Sequence, residues 1–301
     1  MPLFSPQLRY FEYVARFGSI QEAARRMHVA ASAVNRQILK LEEELGTDLF
    51  ERSPRGMRLT VAGQALVVDA RRWLAEAERT RGTIDAVRGL RAGHVRIATM
   101  ECLAQEFLPP ILAAFRSRHP AVSFEIHVHG TAHCMAELDA GEVDLALAFD
   151  PPTSTARREV WSRSWPLGAV VRVGHPLAAL GAVRPIDCAP FDIVLPSGAL
   201  ALAEKLGPIV ARMGEARPPL LVSNSVAAIK GMLLECDAIG FLTPIDVLNE
   251  RRDNRLAFLS LVMREGLTDR LVLARSRGGG SSPAADAVAQ DVAGRLEELR
   301  A

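Results

Sequence analysis

The chain has 301 residues, of which 49% are hydrophobic and 24% charged, with a formal net charge of +1. That length allows about two domains of ordinary size, and the balanced charge neither demands nor excludes a nucleic-acid partner. Four widely spaced cysteines (Cys102, Cys134, Cys188 and Cys236) argue against a disulfide framework. The opening MPLFSPQLRYF lacks a secretion-signal pattern, and no apolar run approaches the ~20 residues of a membrane span. A soluble cytoplasmic protein is therefore expected, with no membrane partner.

From Pro6 to Phe17, the apolar positions Leu8, Phe11, Val14 and Ala15 predict an amphipathic helix ended by Gly18. Ser19 and Glu22 have the spacing of a capping box, which opens a short Ala-rich helix from Gln21 to Met27. A tight connection, His28-Val29-Ala30, leads to a third helix starting near Ala31 or Ser32, with Ser32 available as its cap. Its Val34, Ile38, Leu41 and Leu45 share one face, while Asn35, Arg36 and Lys40 occupy the other. Two short helices joined by so tight a turn form a helix-turn-helix. Its second helix enters the major groove by its N-terminal residues, here Ser32, Asn35 and Arg36. Asn pairs with adenine and Arg with guanine through two hydrogen bonds each, so these residue types suit base reading. The alternative is a surface helix with a solvated face.

Leu49 and Phe50 are expected to dock on these helices, and Pro54-Arg55-Gly56 to turn. Arg52, Arg55 and Arg58 flank that turn, as in a wing that contacts phosphates and the minor groove. An exposed basic loop is the alternative, for Arg58 above all. Between Thr60 and Val87, residues Leu66, Ala70, Trp73, Ala77, Thr80, Ile84 and Val87 recur with a period of 3.5. This predicts a coiled-coil seam, with Thr80 its polar member, and favours a dimer over a long surface helix. The glycines of Gly89-Leu90-Arg91-Ala92-Gly93 mark a domain boundary.

Beyond the boundary, strands alternate with helices, which predicts an α/β domain with a largely parallel sheet. Strands are expected at 94–99, 122–128, 144–149, 167–173, 192–195, 220–222, 238–242 and 270–274. Helices are expected at 103–118, 131–140 and about 283–299. Ligands in such sheets sit beyond the carboxyl ends of the strands. That rule selects Met100, Glu101, Cys102, Gly130, Thr131, Phe149, Asp150, Pro196, Ser197, Ser223, Asn224, Ser225, Thr243 and Pro244. Two acids, Glu101 and Asp150, facing one pocket would favour a cationic or neutral ligand.

SIQEAARRMHVAASAVNRQILKLEEELGTDLFER followed by LTVAG resembles the winged helix-turn-helix of LysR-type transcriptional regulators. The shared pattern is Ala23-Ala24, the run Gln37 to Glu42, Leu45-Gly46, Leu49 to Arg52 and Leu59 to Gly63. Ala30-Ala31 and Asn35 depart from the residues usual in that family, which points to a different operator sequence. GHVRIAT, GEVDLALAF, LVSNS and AIGFLTP are similar, more loosely, to the family's effector domain. The resemblance implies two α/β lobes like those of periplasmic binding proteins, with a small-molecule effector between them and no other cofactor. It places residues 1–60 in the DNA-binding domain, 61–91 in the linker helix and 92–301 in the effector domain. Lobe I comprises 92–162 and 261–301, and lobe II 163–260, with the crossings near Arg163 and Ser260. The expected partners are double-stranded promoter DNA and further copies of the chain. A dimer follows from the seam, a tetramer from the resemblance, and RNA polymerase is left open as a further partner.

His127-Val128-His129 with His133-Cys134 is the densest potential metal cluster. Zinc or copper could use three or four of these groups, but the spacing matches no established ligand pattern, and the alternative is a solvated strand face. No metal ligand is assigned. Redox sensing by Cys102 or Cys134 finds no support in the sequence. No Gly-x-Ser-x-Gly, Walker loop, GxGxxG or HExxH occurs, and nothing pairs a nucleophile with a base, so an enzyme is not expected.

Overall fold

The computed structural model describes residues 6–53, 56–87, 93–197, 201–213, 218–263, 266–277 and 282–299. The chain divides into two compact units, one built on Met1–Leu90 and the other on most of the residues from Arg91 onward.

The first unit contains α1 (Pro6–Phe17), α2 (Ile20–Arg26), α3 (Ala31–Leu45), β1 (Phe50–Ser53), β2 (Gly56–Leu59) and α4 (Val61–Val87). Its core gathers Phe11, Val14, Ala23, Val34, Ile38 and Leu49, with the Phe11 and Phe50 rings 5.3 Å apart. Each such large apolar side chain contributes about 1.5–3 kcal/mol by leaving water. Ser19 caps α2 by accepting the Glu22 N–H, but the Glu22 carboxylate turns to Arg25 and Arg26 and leaves the box half made. The N-cap of α3 is Ala30, which makes no side-chain cap bond. Ser32 therefore does not cap; it lies exposed in the first helical turn. Gly46 ends α3 at φ +67°, where a side chain would be strained. Leu45 at that end is exposed rather than buried.

The seam expected along α4 is divided. Ala70 is fully buried with Val67 in the unit's own core, and Leu66 packs against that core. Those two positions are thus spent on α1 and its neighbours. Trp73 and Val68 are 40% and 55% exposed, and Ala77 is half-buried. The Ile84 side chain lies outside the described residues.

The second unit begins with β3 (Gly93–Thr99), a π-helical turn at Leu103–Phe107, α5 (Leu108–Arg118), β4 (Val122–Val128), α6 (Thr131–Ala140), β5 (Leu145–Phe149) and β6 (Arg157–Pro166). It continues through β7 (Gly168–Arg172), β8 (Ala182–Val183), α7 (Pro185–Cys188), β9 (Asp192–Pro196), α8 (Ala201–Lys205) and α9 (Gly207–Arg212). Next come β10 (Leu221–Ser223), α10 (Val226–Glu235), β11 (Ala238–Leu242), α11 (Leu248–Arg252) and β12 (Leu256–Leu261), before β13 (Thr268–Ser276) and α12 (Pro283–Glu298). Two sheets result, ordered β4-β3-β5-β13-β6 and β10-β9-β11-β7-β12-β8.

Each sheet anchors one lobe, and the sheets are mixed rather than largely parallel. β13 runs antiparallel to β5 and β6, and β7 antiparallel to β11 and β12, because the chain enters and leaves lobe II through these strands. The crossings fall slightly later than expected. Arg163 to Pro166 still pair with β13 in the first sheet, and Ser260 and Leu261 still pair with β8 in the second.

Candidate functional sites

In the first unit, α3 turns Ser32 and Arg36 outward from its N-terminal half, while Asn35 beside them is half-buried. The β1–β2 hairpin is tied to the same helix. Glu42 of α3 accepts the backbone N–H groups of Leu49 (2.8 Å) and Phe50 (3.2 Å) at the hairpin's start. Gly63 sits so close to the Leu49 carbonyl that a Cβ there would lie 2.1 Å from its oxygen. Helix and hairpin thus form one rigid surface. Arg58 is exposed on β2, and the backbone of Arg52 pairs with Met57. The Arg52 side chain and Arg55 lie outside the described residues. A polar helix end beside a basic hairpin suits base edges and phosphates.

In the second unit, a cavity of about 340 Å³ opens between the lobes. Of the predicted residues, Met100, Glu101, Cys102, Gly130, Phe149 and Asn224 line it, as does Ser225. The others support its walls. Thr131 donates to the Phe149 carbonyl, Ser197 N–H to the Ser223 carbonyl, and Ser223 accepts from Ser225 N–H. Thr243 is buried, with its N–H and hydroxyl on Asp246, and Pro196 is buried at the end of β9. Asp150 is held by Lys205 and the Arg270 N–H.

Val128, His129, Leu202, Val226, Asp246 and Asp269 also line the cavity and were not anticipated. His129 and Val226 adjoin predicted positions, so a wider window at the strand ends would have found them. Asp246 follows the predicted Thr243 by three residues and is held by it, whereas Asp269 carries no such signal, because it stands at the start of β13, which runs antiparallel to β5.

Charged groups reach across the cleft from both lobes. Glu101 accepts from Ser225 Oγ (3.1 Å) and Val226 N–H (2.9 Å) at the start of α10. Lys205 of α8 is shared by Asp150 and Asp269. Burial pushes the Asp269 carboxyl up to about 6, against the pull of Lys205, while Asp150 is held below its ordinary value. A raised carboxyl pKa means the folded state takes up its proton first. The Asp269 contribution to stability therefore falls as pH rises from about 4 to about 6. Asp269→Asn is expected to remove that slope, as read from denaturation midpoints across this range.

Cys102 is fully buried, and burial together with nearby Asp246 raises its thiol well above the usual range. Cys134 is pushed up to about 11 in the same way. Neither has the exposed, electropositive setting of a reactive thiolate.

Both units match known families. Residues 6–64 match the family described as bacterial regulatory helix-turn-helix protein, lysR family, and residues 88–297 the LysR substrate binding domain. The chain is 30% identical over 190 residues to a probable RuBisCO transcriptional regulator of Emiliania huxleyi, covering 62% of this chain and 60% of that protein. It is 38% identical over 146 residues to the HTH-type transcriptional regulator IlvY of Escherichia coli, covering 48% and 49%. The chain thus spans about half to three fifths of the length of these curated relatives.

Among solved structures, a full-length OxyR variant from Pseudomonas aeruginosa superposes with a TM-score of 0.73 at 18% identity, over 97% of this chain and 94% of that one. Full-length CbnR complexed with its target DNA gives 0.64 at 23% identity, over 96% and 98%. No helix among the described residues is long and apolar enough to cross a membrane. A helix-turn-helix head followed by a two-lobed substrate-binding domain, with matches on both, places the chain in the LysR family of bacterial regulatory proteins.

Proposed function

We propose that the chain is a cytoplasmic, sequence-specific regulator of transcription, controlled by a small molecule held between the lobes of its second unit. The observation that carries this reading is the N-terminal half of α3, which exposes Ser32 and Arg36 beside a hairpin fixed to the same helix. Ser32, Asn35 and Arg36 read base edges, and Arg52 and Arg55 hold the backbone. The exposed Trp73 on α4, with the half-buried Ala77 one turn further along, supplies an apolar surface for a second copy of the chain, which would present two heads to a two-fold operator. A tetramer is the further assembly that membership of the family suggests.

The effector is a small neutral or cationic molecule. A cavity of about 340 Å³ suits a compact ligand. Its lining carries Glu101, Asp246 and Asp269 beside apolar Met100, Phe149 and Leu202, which disfavours an anion.

Footprinting on the DNA upstream of the protein's own gene tests the reading. Arg36→Ala is expected to weaken operator binding by about 1–3 kcal/mol, roughly 5- to 150-fold, while leaving non-specific binding nearly unchanged. Equal affinity for every duplex would refute sequence-specific recognition.

A further inference from the structure

Strand alternation places His127 of β4 and His129, the residue just past its end, on one face, and α6 brings Glu137 up to both. The Glu137 carboxylate lies 2.9 Å from His127 Nδ1 and 3.4 Å from His129 Nε2. One ligand atom from each of the three residues lies within 4.8 Å of the others. His133, one turn before Glu137 on α6, has its Nε2 3.8 Å from the same carboxylate. The Glu137 side chain is only 11% exposed, so a nearly buried carboxylate is surrounded by three imidazoles. Cys134 is not part of this group, because it is fully buried in the core with its thiol on the His129 carbonyl.

We propose that His127, His129 and Glu137 form a binding site for a divalent first-row transition metal ion, with His133 as a fourth ligand. Two imidazoles and a carboxylate are the donor set that zinc and its neighbours take. Metal–ligand bonds of about 2.0–2.2 Å put tetrahedral ligand atoms about 3.3 Å apart, close to the separations around Glu137. The outer shell is also in place. His127 Nε2 lies 3.3 Å from Glu125, whose other oxygen lies 3.2 Å from His94 Nε2. A carboxylate holding the Nε2 proton leaves Nδ1 to face the ion and fixes the ring.

A plain ion-pair network around Glu137 would need neither this backing carboxylate nor three convergent rings. His129 also lines the interlobe cavity, so a bound ion adds positive charge to an otherwise acidic wall.

Titration of untagged, metal-stripped full-length protein with zinc chloride tests this, with calorimetry for affinity and cobalt(II) absorption for the ligand set. One saturable zinc site per chain is expected, with a cobalt spectrum of nitrogen and oxygen ligation. Glu125→Gln is expected to weaken zinc binding by about 10–100-fold, and His129→Ala by more. Glu137→Gln should match His129→Ala. Should one of these two variants fail to fold in a metal-free thermal melt, the other carries the test. Absence of saturable binding, affinity unchanged in the variants, or thiolate charge-transfer bands with cobalt would each overturn the assignment.

Discussion

Lys230→Ala is expected to cost about 3–5 kcal/mol of stability in the second unit, the loss typical of a buried ion pair deprived of one partner. Lys230 is 5% exposed on α10 and pairs with Glu106 of lobe I and, at 3.0 Å, with Glu250 of lobe II. The second oxygen of Glu106 accepts the Asn249 N–H at 3.1 Å, so this carboxylate is fastened to lobe II twice. Removing the ammonium leaves two carboxylates facing each other, with side-chain exposures of only 8% and 12%.

The pH dependence separates this cause from lost packing. Burial alone would lower the Lys230 pKa, but the hydrogen bonds it donates to Glu106 and Glu250 outweigh that and the net shift is upward. Its stabilisation is therefore complete through neutral pH and fades only as pH rises through the lysine range. In Lys230→Ala the sign reverses, and stability should recover as pH falls and the stranded carboxylates take up protons. Urea denaturation followed by the fluorescence of Trp161 and Trp165 reads both effects. A loss below about 1 kcal/mol, or one indifferent to pH, would show that the triad does not hold the lobes together.

Local chemistry made much of this fold legible. α1 starts and stops where the apolar spacing and Gly18 place its ends, and Ala238–Leu242 emerges as a strand because all five residues are buried. The sequence hid β6. Its alternation is carried by charged residues around Trp161 and Trp165, which reads as surface, and its strand character comes from pairing with β13 along its length. β12 was missed for the opposite reason, since a short apolar run does not declare its period.

The cleft shows the same division. Residues at strand ends are found by the rule that ligands sit at carboxyl ends, and six of the predicted set, with Ser225, line the cavity. Asp246 and Asp269 fall outside that rule, one in the turn after β11 and the other at the start of the antiparallel β13. On α4 the seam member Ala70 is buried within its own unit, because a period of 3.5 does not say which apolar face is buried at home and which is offered to a partner.

Glu101→Ala is expected to change the class of molecule that the cleft accepts. The start of α10 is an anion site by construction, with a Val226 N–H that has no partner within the helix, a Ser225 hydroxyl and the positive end of a helix dipole. Glu101 already fills it from the opposite lobe. An incoming carboxylate must therefore displace two charge-assisted hydrogen bonds, each worth about 1.5–3 kcal/mol, and then meet Asp246 and Asp269 nearby. Wild-type protein should show no rise in melting temperature with acetate or benzoate.

Glu101→Ala should lose up to about 3–6 kcal/mol without ligand, less what water entering the cleft restores, and regain part of it as these anions occupy the vacated helix end. Glu101→Gln separates charge from shape. Its amide oxygen still accepts from Val226 N–H, so it should stay indifferent to carboxylates while losing less stability. Wild-type protein stabilised by carboxylates as strongly as Glu101→Ala would mean that Glu101 yields its place readily. The effector would then be sought among anions.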